Sequence, residues 1–211
     1  MIQTTSNFNS AVQSLRDIGV ESFDIFTKEE LAFLTDDNYQ LGKYNDNLAG
    51  HIKKEVKLKW PKEFEDKLLL GVANSETMKK EVYKHKLNNR DSAIMLNSLW
   101  INYQSKHEFN PIHVHTGLLS FVLFLQIPYD LTTEENLWGA NIKETSKLQF
   151  LSVDPSGQII TASVDVDKSF EGKLVMFSSS KCHQVYPFYT SDDYRITVSG
   201  NICFNIDKEK V

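Results

Sequence analysis

Two of the six histidines, His113 and His115, stand two residues apart. Alternate side chains of an extended segment point to the same side. Read as a strand, Pro111–His115 therefore presents two imidazoles from one face, where they can occupy adjacent positions on a metal ion. An isolated pair of this kind is a weak signal. A third histidine, His183, follows a short apolar run and a turn of serines, Ser178 to Ser180. Twelve residues later Arg195 opens a run in which Arg195, Thr197, Ser199 and Asn201 share one face of a strand, while Ile196 and Val198 take the other. A guanidinium in such a place needs a partner, because burying it alone is costly. Its planar fork matches a carboxylate. That carboxylate can belong to a ligand, or to Asp192 or Asp193 in an ion pair at a sheet edge.

The elements that must position these groups change character along the chain. After Arg90, short runs of β-branched and aromatic residues alternate with turn residues. They predict strands near Leu96–Gln104, Pro111–His115, Ser120–Gln126, Leu148–Val153, Ile159–Val164, Lys173–Phe177, Cys182–Tyr186 and Tyr194–Phe204, with turns at Asp154–Gly157 and Ser191–Asp193. Eight short strands without intervening helices point to a sandwich or jelly roll. Residues 1–90 read as a helical supporting region, with helices at Ser10–Ile18, Thr27–Leu34, Pro61–Leu70 and Ser75–Lys84. Thr27 and Glu30 have capping-box spacing, and Leu31, Phe33 and Leu34 should face inward. The chain reads as one domain over 1–211: mainly β with flanking N-terminal helices, the core spanning 91–211. The polar stretch Tyr129–Thr145, with Trp138 in it, is long for a loop and is a candidate cover for a site. The basic run Lys53 to Lys62 reads as solvated surface.

Composition limits the alternatives. Of 211 residues, 41 % are hydrophobic and 24 % charged, and the formal charge is −5. This is an ordinary globular mixture, and a chain of this length buries about 70 % of its unfolded surface. Mild acidity disfavours a nucleic-acid partner. Two cysteines, Cys182 and Cys203, make no disulfide framework and fit a reducing compartment. No basic segment followed by an apolar one opens the chain, so no signal peptide is expected. The longest apolar stretch, Leu118 to Ile127, falls short of the roughly 20 residues a membrane span needs. A cytoplasmic protein without a membrane partner is expected.

The order of these pieces resembles the iron(II)- and 2-oxoglutarate-dependent dioxygenases, and within them a bacterial and phage branch of 2-oxoglutarate/iron oxygenases. The resemblance rests on Trp100 and Asn102, on Asn110, Pro111, His113 and His115, on Leu119 and Ser120 before an apolar strand, on His183, Val185 and Pro187, and on Arg195, Thr197, Ser199 and Asn201. It spans about residues 96–204 and implies a double-stranded β-helix holding Fe(II), with 2-oxoglutarate and O2 as co-substrates. Carried over, His113 is the first ligand and His183 the distal one. Arg195, helped by Thr197 or Ser199, takes the far carboxylate of 2-oxoglutarate. Asn102, Tyr103, Ser120 and Asn201 are further candidates for lining that pocket.

One position departs from the broad family. His115 stands where a carboxylate is usual, and no acid lies between Glu108 and Asp130. Either His115 binds, or solvent or a carboxylate from elsewhere completes the set; a neutral ligand removes one negative charge from the metal shell. The reaction implied is substrate hydroxylation with release of succinate and CO2. A protein or peptide side chain is the first expectation for the substrate and a small metabolite the next. A nucleobase comes third, because no basic stretch is interleaved with aromatics. Cys182, next to His183, should face the other side of the strand as a core thiol. His51, His85 and His107 read as surface residues. The competing class is a cupin-like metal-binding or non-catalytic jelly roll, which has no need of Arg195-x-Thr197. The resemblance also fits a cytoplasmic setting, phage-encoded members included.

Overall fold

Six of the eight residues in Leu119–Gln126 are apolar, and a strand so apolar is covered on both faces. In the computed structural model, which describes residues 15–16, 18–84 and 94–205, this strand lies inside a seven-stranded antiparallel sheet. The elements are β1 (Val20–Phe23), α1 (Lys28–Leu31), β2 (Gln40–Lys43), β3 (Lys54–Leu58), α2 (Lys62–Val72), α3 (Glu76–Lys84), β4 (Ile94–Gln104), β5 (Asn110–His113), β6 (Leu119–Gln126), α4 (Leu131–Asn136), β7 (Leu148–Val153), β8 (Ile159–Val164), β9 (Leu174–Ser178), β10 (His183–Val185) and β11 (Arg195–Phe204). The large sheet runs β1-β9-β6-β11-β4-β3-β2, and a smaller one runs β5-β10-β7-β8. This is the jelly-roll architecture expected, and all eight strands foreseen after Arg90 are present.

The outer face of the large sheet is closed by helices. Leu99, Ile101, Leu119, Phe121, Leu123, Met176, Val198 and Ile202 form one buried cluster with Phe64, Leu68 and Val72 of α2. Those three recur every four residues, the spacing of one helical stripe; Pro61 precedes the helix as its cap and Glu63 and Glu65 sit in its first turn. Thr27 and Glu30 do form the capping box at α1. The inner face meets the small sheet through Phe124, Leu148, Phe150, Val164, Val175 and Phe177.

The N-terminal region supplies strands as well as helices. β1 joins one edge of the large sheet, β2 and β3 the other. The run from Lys53 to Lys62, read as solvated surface, contains β3: Lys54 and Lys57 are exposed, while Glu55, Val56 and Leu58 are buried. The lysines lie on a strand whose intervening residues face the interior. Most of the helix expected at Ser10–Ile18, and His85, lie outside the described residues. Among the described residues no helix is long and apolar enough to cross a membrane. Cys182 is half-buried rather than a core thiol.

Candidate active site

Strands β5 and β10 pair side by side with His113 opposite His183. His115 lies two residues past the end of β5, its backbone N–H donating to the Ser179 carbonyl at 2.8 Å. The side chains between and before them, Val114 and Ile112, point to solvent, so both histidines turn inward. Ring centroids are 4.2 Å apart for His113 and His183, 4.9 Å for His113 and His115 and 5.1 Å for His115 and His183. One ring nitrogen from each lies within 4.8 Å of the other two.

Their protonation suits a cation. His113 Nδ1 is 2.7 Å from the Pro111 carbonyl and His183 Nδ1 is 3.0 Å from the Lys181 carbonyl. A carbonyl only accepts, so each Nδ1 carries the proton and each Nε2 keeps a free lone pair. Burial and the neighbouring His113 push His183 down to about 3, against its bond to Lys181. Burial and His113 bring His115 down to about 4. Burial lowers His113 as well. All three rings are neutral at neutral pH.

The same cavity holds a buried cation. Arg195 is 2 % exposed and lines the cavity together with the three histidines. Its donors are met by neutral acceptors only. Nε and Nη2 donate to Gln104 Oε1 at 3.1 and 2.6 Å, Nη1 to Tyr129 Oη at 3.1 Å and to the Ser146 carbonyl at 2.6 Å, and Nη2 to the Tyr186 carbonyl at 3.2 Å. Ser146 sits at φ 65°, a left-handed conformation that costs a non-glycine residue energy; it aims this carbonyl at the guanidinium. Asp192 pairs with Lys106 instead, at 2.5 Å, and Arg195 has no ion pair among the described residues. A guanidinium held without a counter-charge attracts an anion, which would replace a neutral acceptor in one or more of these five bonds.

Residues 98–201 match the family model described as "Putative 2OG-Fe(II) oxygenase". Over that stretch, just under half of the chain, the protein is similar to the 2-oxoglutarate- and Fe(II)-dependent oxygenases. The match implies Fe(II), 2-oxoglutarate and O2 as cofactor and co-substrates. No curated protein sequence matches the chain. Among solved structures, a 2OG-Fe(II) oxygenase family oxidoreductase from Burkholderia pseudomallei is similar at 13 % identity and a TM-score of 0.51, over 96 % of this chain and 93 % of that one. A Pseudomonas putida prolyl-4-hydroxylase is similar at 14 % identity and a TM-score of 0.49, over 90 % and 95 % of the two chains. At 13 % identity the likeness to the Burkholderia structure is one of fold.

Around this cavity the residues singled out in the sequence divide into two groups. Asn102, Thr197 and Ser199 line the cavity with Arg195. They share one face through the β4–β11 register, Thr197 opposite Asn102 and Ser199 opposite Trp100. Ser120 and Asn201 lie outside the lining: Ser120 donates to Asn201 Oδ1 at 2.7 Å, and Asn201 Nδ2 to Ser98 Oγ at 3.1 Å. Tyr103 faces the other way, under Lys54. Trp138 is exposed and rests its ring against Tyr189. Its loop contains α4, and Tyr129 at its start and Ser146 just past its end both hold Arg195. Sequence reasoning missed Gln104, Tyr129 and Glu55 as site residues, and it read Asn110 as part of the resemblance without a place in the cavity. Gln104 was findable, since it continues the inward alternation of Trp100 and Asn102; Glu55 was hidden among lysines.

Proposed function

We propose that the protein is a 2-oxoglutarate- and Fe(II)-dependent dioxygenase that hydroxylates a C–H bond of a small molecule or a peptide side chain. The observation that carries this reading is one cavity holding three converging imidazoles and a buried guanidinium that has no ion pair among the described residues. These residues fit the groups the family uses. His113, His115 and His183 would hold the iron through neutral ring nitrogens, and among the described residues no carboxylate joins the three. Bound there, iron and 2-oxoglutarate supply the oxidising chemistry, with succinate and CO2 as by-products.

The chain's own groups supply position and shielding. Arg195 binds the far carboxylate of 2-oxoglutarate. Thr197 and Ser199 accept from Asn102 Nδ2, at 3.1 and 3.3 Å, which leaves their own O–H groups to donate to the same carboxylate. Gln104, Tyr129 and Ser146 hold the guanidinium still. Val122, Phe124, Leu148 and Phe177 give the cavity apolar walls that keep water from the reacting centre. A metal-bearing cupin has no use for this buried cation.

The test is an anaerobic titration with Fe(II) and then 2-oxoglutarate, read by the weak visible charge-transfer band. A band in the wild type that is lost in Arg195→Ala is expected. Its loss in His115→Ala as well supports three histidine ligands, and its survival there removes His115 from the set. Bound metal with no band in the wild type overturns the reading in favour of a cupin-like role.

A further inference from the structure

Four glutamates are buried among the described residues, Glu55, Glu81, Glu108 and Glu134, and the fold provides for three of them. Glu134 accepts from the backbone N–H groups of Tyr189 and Thr190 and from Thr190 Oγ1, the last at 2.6 Å. Glu108 accepts from the N–H groups of Lys53 and Ser105 at 3.1 and 2.9 Å. Glu81 pairs with Lys84 at 3.5 Å. The carboxylate of Glu55, 2 % exposed, accepts one hydrogen bond, from Asn45 Nδ2 at 3.1 Å, and no cation pairs with it among the described residues. It is also the one of the four that lines the cavity of the three histidines. Burial and then the charge of Glu108 push its carboxyl up to about 7, with Asn45 opposing. That is the state of an acid whose counter-charge is absent.

A second orphan lies beside it. Glu55 stands opposite Asn102 in the β3–β4 register. Asn102 Nδ2 donates to Thr197 Oγ1, to Ser199 Oγ and, at 3.4 Å, to the Thr197 carbonyl. A carbonyl accepts only, so the amide is oriented with its nitrogen toward β11. Asn102 Oδ1 is then the one buried side-chain polar atom without a partner among the described residues, and an orphaned buried acceptor of this kind calls for a donor. Gly50 completes the wall. A β-carbon there would lie 2.6 Å from Glu55 Oε1 and would overlap Asn110 Oδ1, so one more acceptor oxygen, that of Asn110, converges with Glu55 on this bare stretch of backbone.

This wall offers acceptors and negative charge. It repels a dicarboxylate, and an apolar group would leave its oxygens bare. We propose that Glu55 and the Asn102 carbonyl oxygen receive a positively charged nitrogen group of the primary substrate, an alkylammonium or guanidinium, on the β3 side of the cavity. The inference rests on the dioxygenase reading and names its substrate class. A cationic nitrogen brings both the missing charge and several N–H donors. Arg195 and the Thr197 and Ser199 hydroxyls would bind the anionic co-substrate, and Glu55 the cationic substrate, so the two cannot exchange places.

The experiment is isothermal titration of the full chain, loaded anaerobically with Fe(II) and 2-oxoglutarate and also metal-free. The cationic probes are L-lysine and L-arginine, together with their N-acetylated amides, which imitate residues inside a peptide. L-norleucine and L-citrulline are the neutral counterparts. At least one cationic probe should bind about tenfold or more tightly than its neutral counterpart. Glu55→Gln should remove that preference, and Glu55→Asp should restore part of it. The charge-transfer band should persist in Glu55→Gln, which shows that the variant is folded and its co-substrate end intact. Preference for the free over the acetylated probes assigns a small molecule, and the reverse assigns a peptide side chain. Equal binding of charged and neutral probes, unchanged binding by Glu55→Gln, or no binding of any cationic probe overturns the proposal. Loss of the band in the wild type overturns the dioxygenase reading separately, and the metal-free titration still scores Glu55.

Discussion

The two faces of the large sheet are built from neighbouring residues on the same strands, yet they obey different rules. On β6, Leu119, Phe121 and Leu123 go outward into a dry cluster under the helices. Ser120, Val122 and Phe124 go inward. On β11, Val198 and Ile202 pack outward, while Arg195, Thr197 and Ser199 line the cavity. Outward positions are interchangeable within the limits of volume and shape. Inward positions carry charge, donors and acceptors that the fold leaves partly unmatched. A period of two lets one strand serve stability with one set of residues and chemistry with the other.

The largest effect should come from the outer face. Leu123 is fully buried in the outer cluster and off the cavity, and Leu123→Ala should cost about 2–5 kcal/mol, read by urea denaturation, with no direct effect on metal affinity in the folded fraction. A loss of metal affinity equal to that of an inward variant would break the distinction. On the inner face, metal alone should stabilise the wild type by about 2.7 kcal/mol at a hundredfold excess over its dissociation constant. His183→Ala should lose most of that gain, measured as a shift in melting temperature under anaerobic Fe(II).

Gly200 probes the outer face from the backbone. A β-carbon there would lie 2.5 Å from Phe121 Cζ and 2.8 Å from the Ser98 carbonyl, and a backbone atom cannot swing away. Gly200→Ala should cost about 1–3 kcal/mol by overpacking. Smaller, and dependent on pH, is the effect of Glu55→Gln. The Glu55 carboxyl sits at about 7 in the folded protein against 4.5 ordinarily. Below the ordinary value both states keep the proton. As pH rises from there, the unfolded chain releases it first, so the wild type loses stability until about pH 7 and stays lower above it. The variant should therefore melt higher than the wild type at pH 8, and the gap should close toward pH 4.5. The same gap at both would show that Glu55 is not held protonated by burial. Smallest is Trp138→Ala, expected within about 0.5 kcal/mol of wild type and without effect on the charge-transfer band, since the ring is exposed and off the cavity. A lost band would return Trp138 to the site.

The fold was legible where alternation was clean. β7 and β8 stand at the boundaries their sequence predicts, Leu148–Val153 and Ile159–Val164. The strands of the N-terminal region were not legible. In Gln40–Lys43 a glycine interrupts the pattern and three of the four residues are exposed. In Lys54–Leu58 the lysines dominated the reading, although Val56 and Leu58 keep the period. At the site, the histidines and Arg195 stand out because they are rare types at telling intervals. Glu55 does not, since its meaning depends on burial beside Asn102, a partner 47 positions away in sequence that only strand pairing supplies. Asn201 shared the right face in the sequence and Ser120 came with the resemblance, but Ser120 near the start of β6 and Asn201 far along β11 bond to each other and to Ser98 instead.

The pairing of His113 with His183 has a mechanical side. The two strands that carry them have four and three residues, little for a ladder to hold by itself. An ion gripped by both would act as a cross-link closing a loop of about 70 residues, and on the chain-entropy scale a link of that span restricts the unfolded chain by about 4 kcal/mol. The small sheet would then be fastened by its cargo. Its amides should exchange with solvent more slowly as the site fills, so that hydrogen exchange across β5 and β10 reads out occupancy.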